Sequence, residues 1–138
     1  MGRILAIDYG RKRVGIAVTD ELKIIANSLT TVHSKDVIQF LKDYLSKEKV
    51  ECFVVGLPKQ MSGEVSESER FITPFVNQLK KVFPEIPVER YDERFTSKMA
   101  SRTMIEAGLK KKDRQNKALV DSISATLILQ SYLQFKSL

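Results

Sequence analysis

The chain is poor in cysteine and histidine and has no long apolar run. A single cysteine, Cys52, in 138 residues excludes an internal disulfide and any cysteine-based zinc site. It lies inside the run Val50-Glu51-Cys52-Phe53-Val54-Val55, where a buried, inert thiol is expected. The one histidine, His33, serves as a general base only if its strand ends near the site; we read it as a surface residue. No stretch approaches the ~20 consecutive apolar residues of a membrane-spanning helix. Strand-like sequence starts at Arg3, so no secretory signal is expected. Ala6 stands where a myristoylation signal needs Ser or Thr. These absences predict a soluble, cytoplasmic protein with no membrane partner. The chain also lacks internal repeats and a heptad seam, which predicts a monomer or a weak homodimer.

What is present fits one globular domain spanning residues 1–138. The length suits the ~100–200 residues of a single domain, enough for a core without disulfides or structural metal. Lys plus Arg number 23 against 17 acids, a net charge of +6. That excess favours polyanion partners such as nucleic acid.

Apolar patterning alternates between strands and helices. Strands are predicted at Arg3–Asp8, Val14–Thr19 and around Ile24–Thr31. Ser34 is placed to cap a helix that runs to about Lys47, with Val37, Ile38, Leu41, Tyr44 and Leu45 on one buried face. The unbroken apolar run Val50–Val55 predicts a central strand covered on both sides. A second helix is expected near Ser66–Val82, its inner face formed by Phe71, Phe75 or Val76, and Leu79, with Pro74 kinking or breaking it. Pro87–Tyr91 reads as a short strand. Thr96 or Ser97 would cap a third helix ending at Gly108, and a last helix fills Ala118–Leu133. The order predicts an α/β fold with a mixed sheet and packed helices.

Three acids stand out. Asp8 closes the run Ile4-Leu5-Ala6-Ile7, and a carboxylate at the end of a buried strand is costly unless something pairs with it. Its alternative is to cap the hairpin turn, where Gly10 and Gly15 permit close backbone approach. Asp92-Glu93-Arg94 follows a predicted strand, and ligands of largely parallel sheets gather beyond strand carboxyl ends. A surface loop with a local Glu–Arg pair is the plainer alternative. Asp121 shares a helix stripe with Ser124, Ala125, Ile128 and Tyr132, although a first-turn Asp also suits the helix dipole. Asp8, Glu93 and Asp121 could converge. Such a cluster repels itself unless cations occupy it, and an all-oxygen set suits Mg²⁺ or Mn²⁺. Two such ions can drive phosphodiester hydrolysis. Spacing alone does not bring the three together. Asp20 reads as a turn residue rather than an accessory acid, and Asp92 as a neighbour of the site.

Basic residues flank these acids: Arg11, Lys12 and Arg13 after Asp8, and Lys110, Lys111, Lys112, Arg114 and Lys117 before Asp121. They suit a phosphate backbone passing the site, although a charge run by itself is usually a solvated loop. Tyr9, Tyr91 and Phe95 lie beside the acids, either to stack on bases or to fill the core.

The ordered motifs resemble the YqgF/RuvX family. Ile7–Asp20 is similar to its first motif, Val55-Gly56-Leu57-Pro58 with Gly63 to its second, Asp92-Glu93-Arg94-Phe95-Thr96 to its third, and Lys117–Asp121 with Ser124-Ala125 and Ile128-Leu129-Gln130 to its fourth. Gln60 replaces a frequent Asn and Ser124 a usual Ala; neither is a proposed acid. The resemblance covers nearly the whole chain. It implies an RNase H-like five-stranded mixed sheet with helices on both faces, and Asp8, Glu93 and Asp121 as metal-binding catalytic acids. It further implies a metal-dependent nuclease that processes precursor 16S rRNA in ribosome biogenesis, with RNA favoured over DNA and the ribosome or its precursor as partner. The alternatives are a RuvC-like Holliday junction resolvase, a nucleic-acid-binding module without catalysis, and a phosphotransferase of the actin and sugar-kinase type. The last is disfavoured by the short chain.

Overall fold

A computed structural model describes residues 2–58, 66–93 and 117–136, with side chains from 123 onward in the last stretch. The described elements are β1 (Arg3–Tyr9), β2 (Arg13–Thr19), β3 (Ala26–His33), α1 (Val37–Leu45), β4 (Val50–Leu57), α2 (Glu69–Val82), β5 (Val88–Asp92) and α3 (Lys117–Lys136). The expected helix between Thr96 and Gly108, the loop residues Gln60 and Gly63, and Arg94 and Phe95 lie outside the described residues.

The strands form one sheet in the order β3-β2-β1-β4-β5. β1 and β2 pair antiparallel, as do β2 and β3. β4 lies parallel to β1, and β5 parallel to β4. This is the mixed sheet the resemblance implies. β1 and β4 are interior strands, so their apolar runs continue without polar alternation, as strands covered on both faces require.

Each face has its own core. Leu5, Ile7, Ile16, Phe53 and Val55 meet Val37 and Leu41 of α1 and Ile72, Phe75, Val76 and Leu79 of α2. On the other face Ile4, Ala6, Ala17 and Val54 meet Ala125, Ile128, Leu129 and Tyr132 of α3. Strand side chains alternate between faces. The α3 face is lined by alanines where the opposite face carries Leu, Ile and Phe, which lets α3 lie close to the sheet.

Several local expectations are corrected. α1 begins at Val37 with Asp36 at its cap and no side-chain capping bond. The Ser34 hydroxyl instead donates to the Arg11 carbonyl at 2.6 Å, tying the end of β3 to the β1–β2 turn. β3 starts two residues later than expected because Asp20 Oδ1 accepts the amides of Ile24 and Ile25, each at 2.8 Å, in the preceding turn. Asp20 is therefore a turn residue, as read. α2 starts at Glu69, and Ile72 takes the buried position expected of Phe71. Pro74 does not break the helix; it lies on the exposed side, where the forgone hydrogen bond faces solvent. β5 runs one residue further than expected, to Asp92. Cys52 is half-buried rather than buried. Its thiol is pushed up to about 11 by burial and by the Glu89 charge, which keeps it an unreactive thiol as expected.

Candidate active site

β1 places Asp8 on the same side as Ile4 and Ala6, the face covered by α3. Asp8 stands opposite Gly15 of β2. The next strand over, β4, brings Gly56 to the same edge. Beyond it β5 ends at Asp92, paired with Leu57, and Glu93 follows. Three parallel strands thus deliver their carboxyl ends to one edge, where two of the three predicted acids meet: the side chains of Asp8 and Glu93 are hydrogen-bonded to each other.

The gap between them is kept by Gly56. A Cβ at that position would lie 2.8 Å from Glu93 Cδ and 2.9 Å from Oε2. The Glu93 carboxylate therefore rests directly on the β4 backbone. Burial, helped by the nearby charges of Glu69 and Asp92 and opposed by Arg90 and the Asp8 hydrogen bond, pushes its pKa up to about 7. Two carboxyl groups joined by a hydrogen bond share a proton. A divalent cation that takes oxygen ligands would displace it, so this donor pair fits such an ion. Among the described residues no group of three acidic, histidine or cysteine side chains is placed to hold a metal ion. Asp121 falls within α3, four residues ahead of the buried Ala125, and its side chain lies outside the described part.

Arg90, which sequence reading passed over, underlies this edge from the opposite face. Its Nε donates to the Val55 carbonyl at 3.2 Å and its Nη2 to the Gly56 carbonyl at 2.8 Å. Both terminal nitrogens also hold the Glu69 carboxylate in the first turn of α2. The alternation Val88-Glu89-Arg90-Tyr91 looks like an ordinary edge strand, and Glu69 lies 21 residues away, so no local signal marks the pair.

Of the predicted cationic residues, Arg11 and Lys12 are exposed in the β1–β2 turn, and Arg13 is half-buried at the start of β2, across from His33. The turn closes through the Gly10 amide on the Arg13 carbonyl at 2.9 Å. A Cβ on Gly10 would come within 2.7 Å of that oxygen, so the turn requires glycine. Lys110, Lys111, Lys112 and Arg114 lie outside the described residues, as does the side chain of Lys117. Of the aromatic candidates, Tyr9 and Tyr91 prove to be packing residues, and Phe95 lies outside the described residues. Tyr9 stacks on Phe75 at 4.3 Å, and Tyr91 packs edge-on against Tyr132 and Phe135 with its hydroxyl bonded to Ser131. His33 is exposed, and its Nδ1 accepts the Lys35 amide at 3.1 Å.

The profile of the family described as "RuvX: Holliday junction resolvase" matches residues 2–135. A protein of Bacteroides thetaiotaomicron named "Putative pre-16S rRNA nuclease" is 65% identical over 99% of both chains. One of the same name from Flavobacterium psychrophilum is 62% identical, again over 99% of each chain. Among solved structures, Thermus thermophilus RuvC in complex with a Holliday junction superposes with a TM-score of 0.60 at 16% identity, covering 98% of this chain and 96% of that one. That likeness identifies the fold as RNase H-like, as the strand order had suggested. The sheet, the acid pair at its edge and the full-length identity agree, and the chain belongs to the RuvX family.

Proposed function

We propose that this protein is a divalent-metal-dependent nuclease that hydrolyses phosphodiester bonds in precursor 16S rRNA. The observation that carries the chemistry is the Asp8–Glu93 pair at the carboxyl ends of parallel strands. The RNA substrate is supported by the names of relatives more than 60% identical over the whole chain. Asp8 and Glu93, joined by Asp121 from α3, would hold Mg²⁺ or Mn²⁺, and room for two ions is expected. When bound, such ions supply Lewis-acid polarisation of the phosphodiester and a water of lowered pKa. The chain's own contribution is placement. Gly56 admits the Glu93 carboxylate against the backbone, Arg90 pins the β4 carbonyls beneath it, and burial leaves the carboxylate under-solvated and receptive to a cation. Arg11, Lys12 and Arg13, with the basic residues ahead of Asp121, would lie along the strand's phosphates.

A second reading, symmetric cutting of a four-way DNA junction, is favoured by the family description and by the RuvC fold. One experiment separates the two. Wild type and Asp8→Asn are incubated with Mg²⁺ or Mn²⁺ and either a single-stranded RNA carrying a 16S precursor end or a four-way DNA junction. Cleavage of RNA alone, lost in Asp8→Asn at unchanged stability, is the expected result. Paired nicks in the junction would transfer the assignment to a resolvase. Full activity in Asp8→Asn would remove Asp8 from the chemistry altogether.

A further inference from the structure

One aromatic ring of α2 carries two cations. Phe71, in the first turn of α2, has the Arg11 guanidinium carbon 4.6 Å from its ring centroid and that of Arg70 at 5.1 Å. The two guanidinium carbons are therefore less than 10 Å apart. Both arginines are exposed, and no carboxylate among the described residues pairs with either. Phe71 itself is half-buried where helical periodicity predicts full burial. Stacking occupies the face of a guanidinium and leaves its in-plane N–H groups to oxygen acceptors. Two like charges on one ring repel, and an anion set between them relieves that repulsion.

The surroundings make this pair rigid. Arg11 belongs to a turn closed by Gly10 and Arg13 and tied to Ser34. Arg70 follows Glu69, which Arg90 anchors to the end of β4. Tyr9 stacked on Phe75 fixes the end of β1 against the same helix. Arg11 is three residues beyond Asp8. Arg70 is one residue from the Glu69–Arg90 pair, which also contacts the Gly56 carbonyl. The ring thus holds its cations at the edge where the acids meet.

We propose that Arg11 and Arg70, preset on Phe71, form a two-guanidinium clamp for a phosphodiester of the nucleic-acid strand entering the Asp8–Glu93 site. This deepens the nuclease reading and rests on it. Arg70 and Phe71 carry no sequence signal for such a role, since one follows an acid in a helix and the other reads as core.

The test reads binding without cleavage. Anisotropy of labelled single-stranded RNA, and of DNA of the same sequence, is followed with the full chain in EDTA at rising KCl. The proteins are wild type, Arg70→Gln, Phe71→Leu, Phe71→Tyr, and Lys80→Gln as a charge-matched control on the far, exposed end of α2. Arg70→Gln is expected to weaken binding about tenfold and to lower the salt slope by ~0.7, the value for one phosphate contact on a single strand. Lys80→Gln should leave the slope unchanged. Phe71→Leu keeps both charges yet should lose several-fold in affinity, and Phe71→Tyr should restore it. Equal losses on RNA and DNA support a contact to phosphate alone; loss on RNA only supports the clamp and assigns the strand. An Arg70→Gln slope equal to that of Lys80→Gln, or wild-type affinity in Phe71→Leu, overturns the clamp. Because no cleavage is needed, its failure is distinct from that of the nuclease reading, which falls if the wild type cuts neither substrate with Mg²⁺ or Mn²⁺. A wild type that binds neither strand overturns the clamp.

Discussion

Gly56→Ala is the sharpest perturbation of the acid pair. An added Cβ would lie 2.8 Å from Glu93 Cδ, 2.9 Å from Oε2 and 3.0 Å from Cγ. Carbon atoms in good contact sit ~3.5–4.0 Å apart, so something must retreat by about 1 Å. The β4 backbone is poorly placed to do so. It is hydrogen-bonded to β1 on one side and β5 on the other, and the Gly56 carbonyl is held by Arg90. Glu93 is a side chain with three rotatable bonds and moves more cheaply. Its backbone is not in the left-handed region at Gly56, so alanine meets no conformational strain and gains up to ~1 kcal/mol from a less flexible unfolded chain. That gain offsets the lower end of the ~1–3 kcal/mol expected for overpacking. Net stability should therefore fall by no more than about 2 kcal/mol in urea titrations. Activity should not be spared: a displacement of about 1 Å in a catalytic group costs on the order of 10²-fold in rate. Single-turnover RNA cleavage and Mn²⁺ titration calorimetry give the two readouts, and both should fall together. Cleavage within about threefold of wild type at unchanged stability would refute the claim that Glu93 acts from its seat on Gly56. A stability loss above about 3 kcal/mol would show instead that the strand yields.

Two further perturbations probe the electrostatics. Burial raises Glu93 from 4.5 to about 7, so the folded chain holds that proton more tightly than the unfolded chain. Without divalent cations, stability should fall as pH rises from about 4.5 to about 7, by at most ~3 kcal/mol. Glu93→Gln, uncharged throughout, should flatten that profile and match wild type at pH 4 while exceeding it at pH 8. A wild-type urea midpoint that is level across the window in EDTA would contradict the buried setting. Arg90→Leu strands the Glu69 carboxylate, whose side chain is only 12% exposed against 23% for Arg90, and should cost about 3 kcal/mol, as breaking a largely buried pair does. Adding Glu69→Leu should recover much of that loss, and additive effects in the double-mutant cycle would show that the pair is not coupled.

The contrast between what was legible and what was not follows from the range of each interaction. Asp8 and Glu93 could be singled out because one closes an apolar run and the other follows a predicted strand, and a carboxylate at the end of a strand is visible in the local pattern. Their meeting depends on β4 lying between β1 and β5 and on its penultimate residue having no side chain. The first fact belongs to strand order, which periodicity does not encode, and the second gains its meaning only from the first. Ser34 shows the same limit: its capping chemistry is local, but its hydroxyl is taken by a carbonyl 23 residues earlier. Phe71 was misplaced for a different reason. Hydrophobicity ranks it as core, and one helical position further on, Ile72 fills that core because it offers nothing else. A phenyl ring has a second use as a seat for cations, and Arg11 can reach it only after the β1–β2 turn has closed on Gly10. Tyr9 and Tyr91 fail in the opposite direction, since the rings that looked available to bases are occupied by Phe75 and by Tyr132 and Phe135. Phe71, half-buried at this edge, bears two arginines instead. Contact with nucleic acid is accordingly expected through guanidinium and phosphate more than through base stacking, and affinity should follow salt more steeply than base sequence.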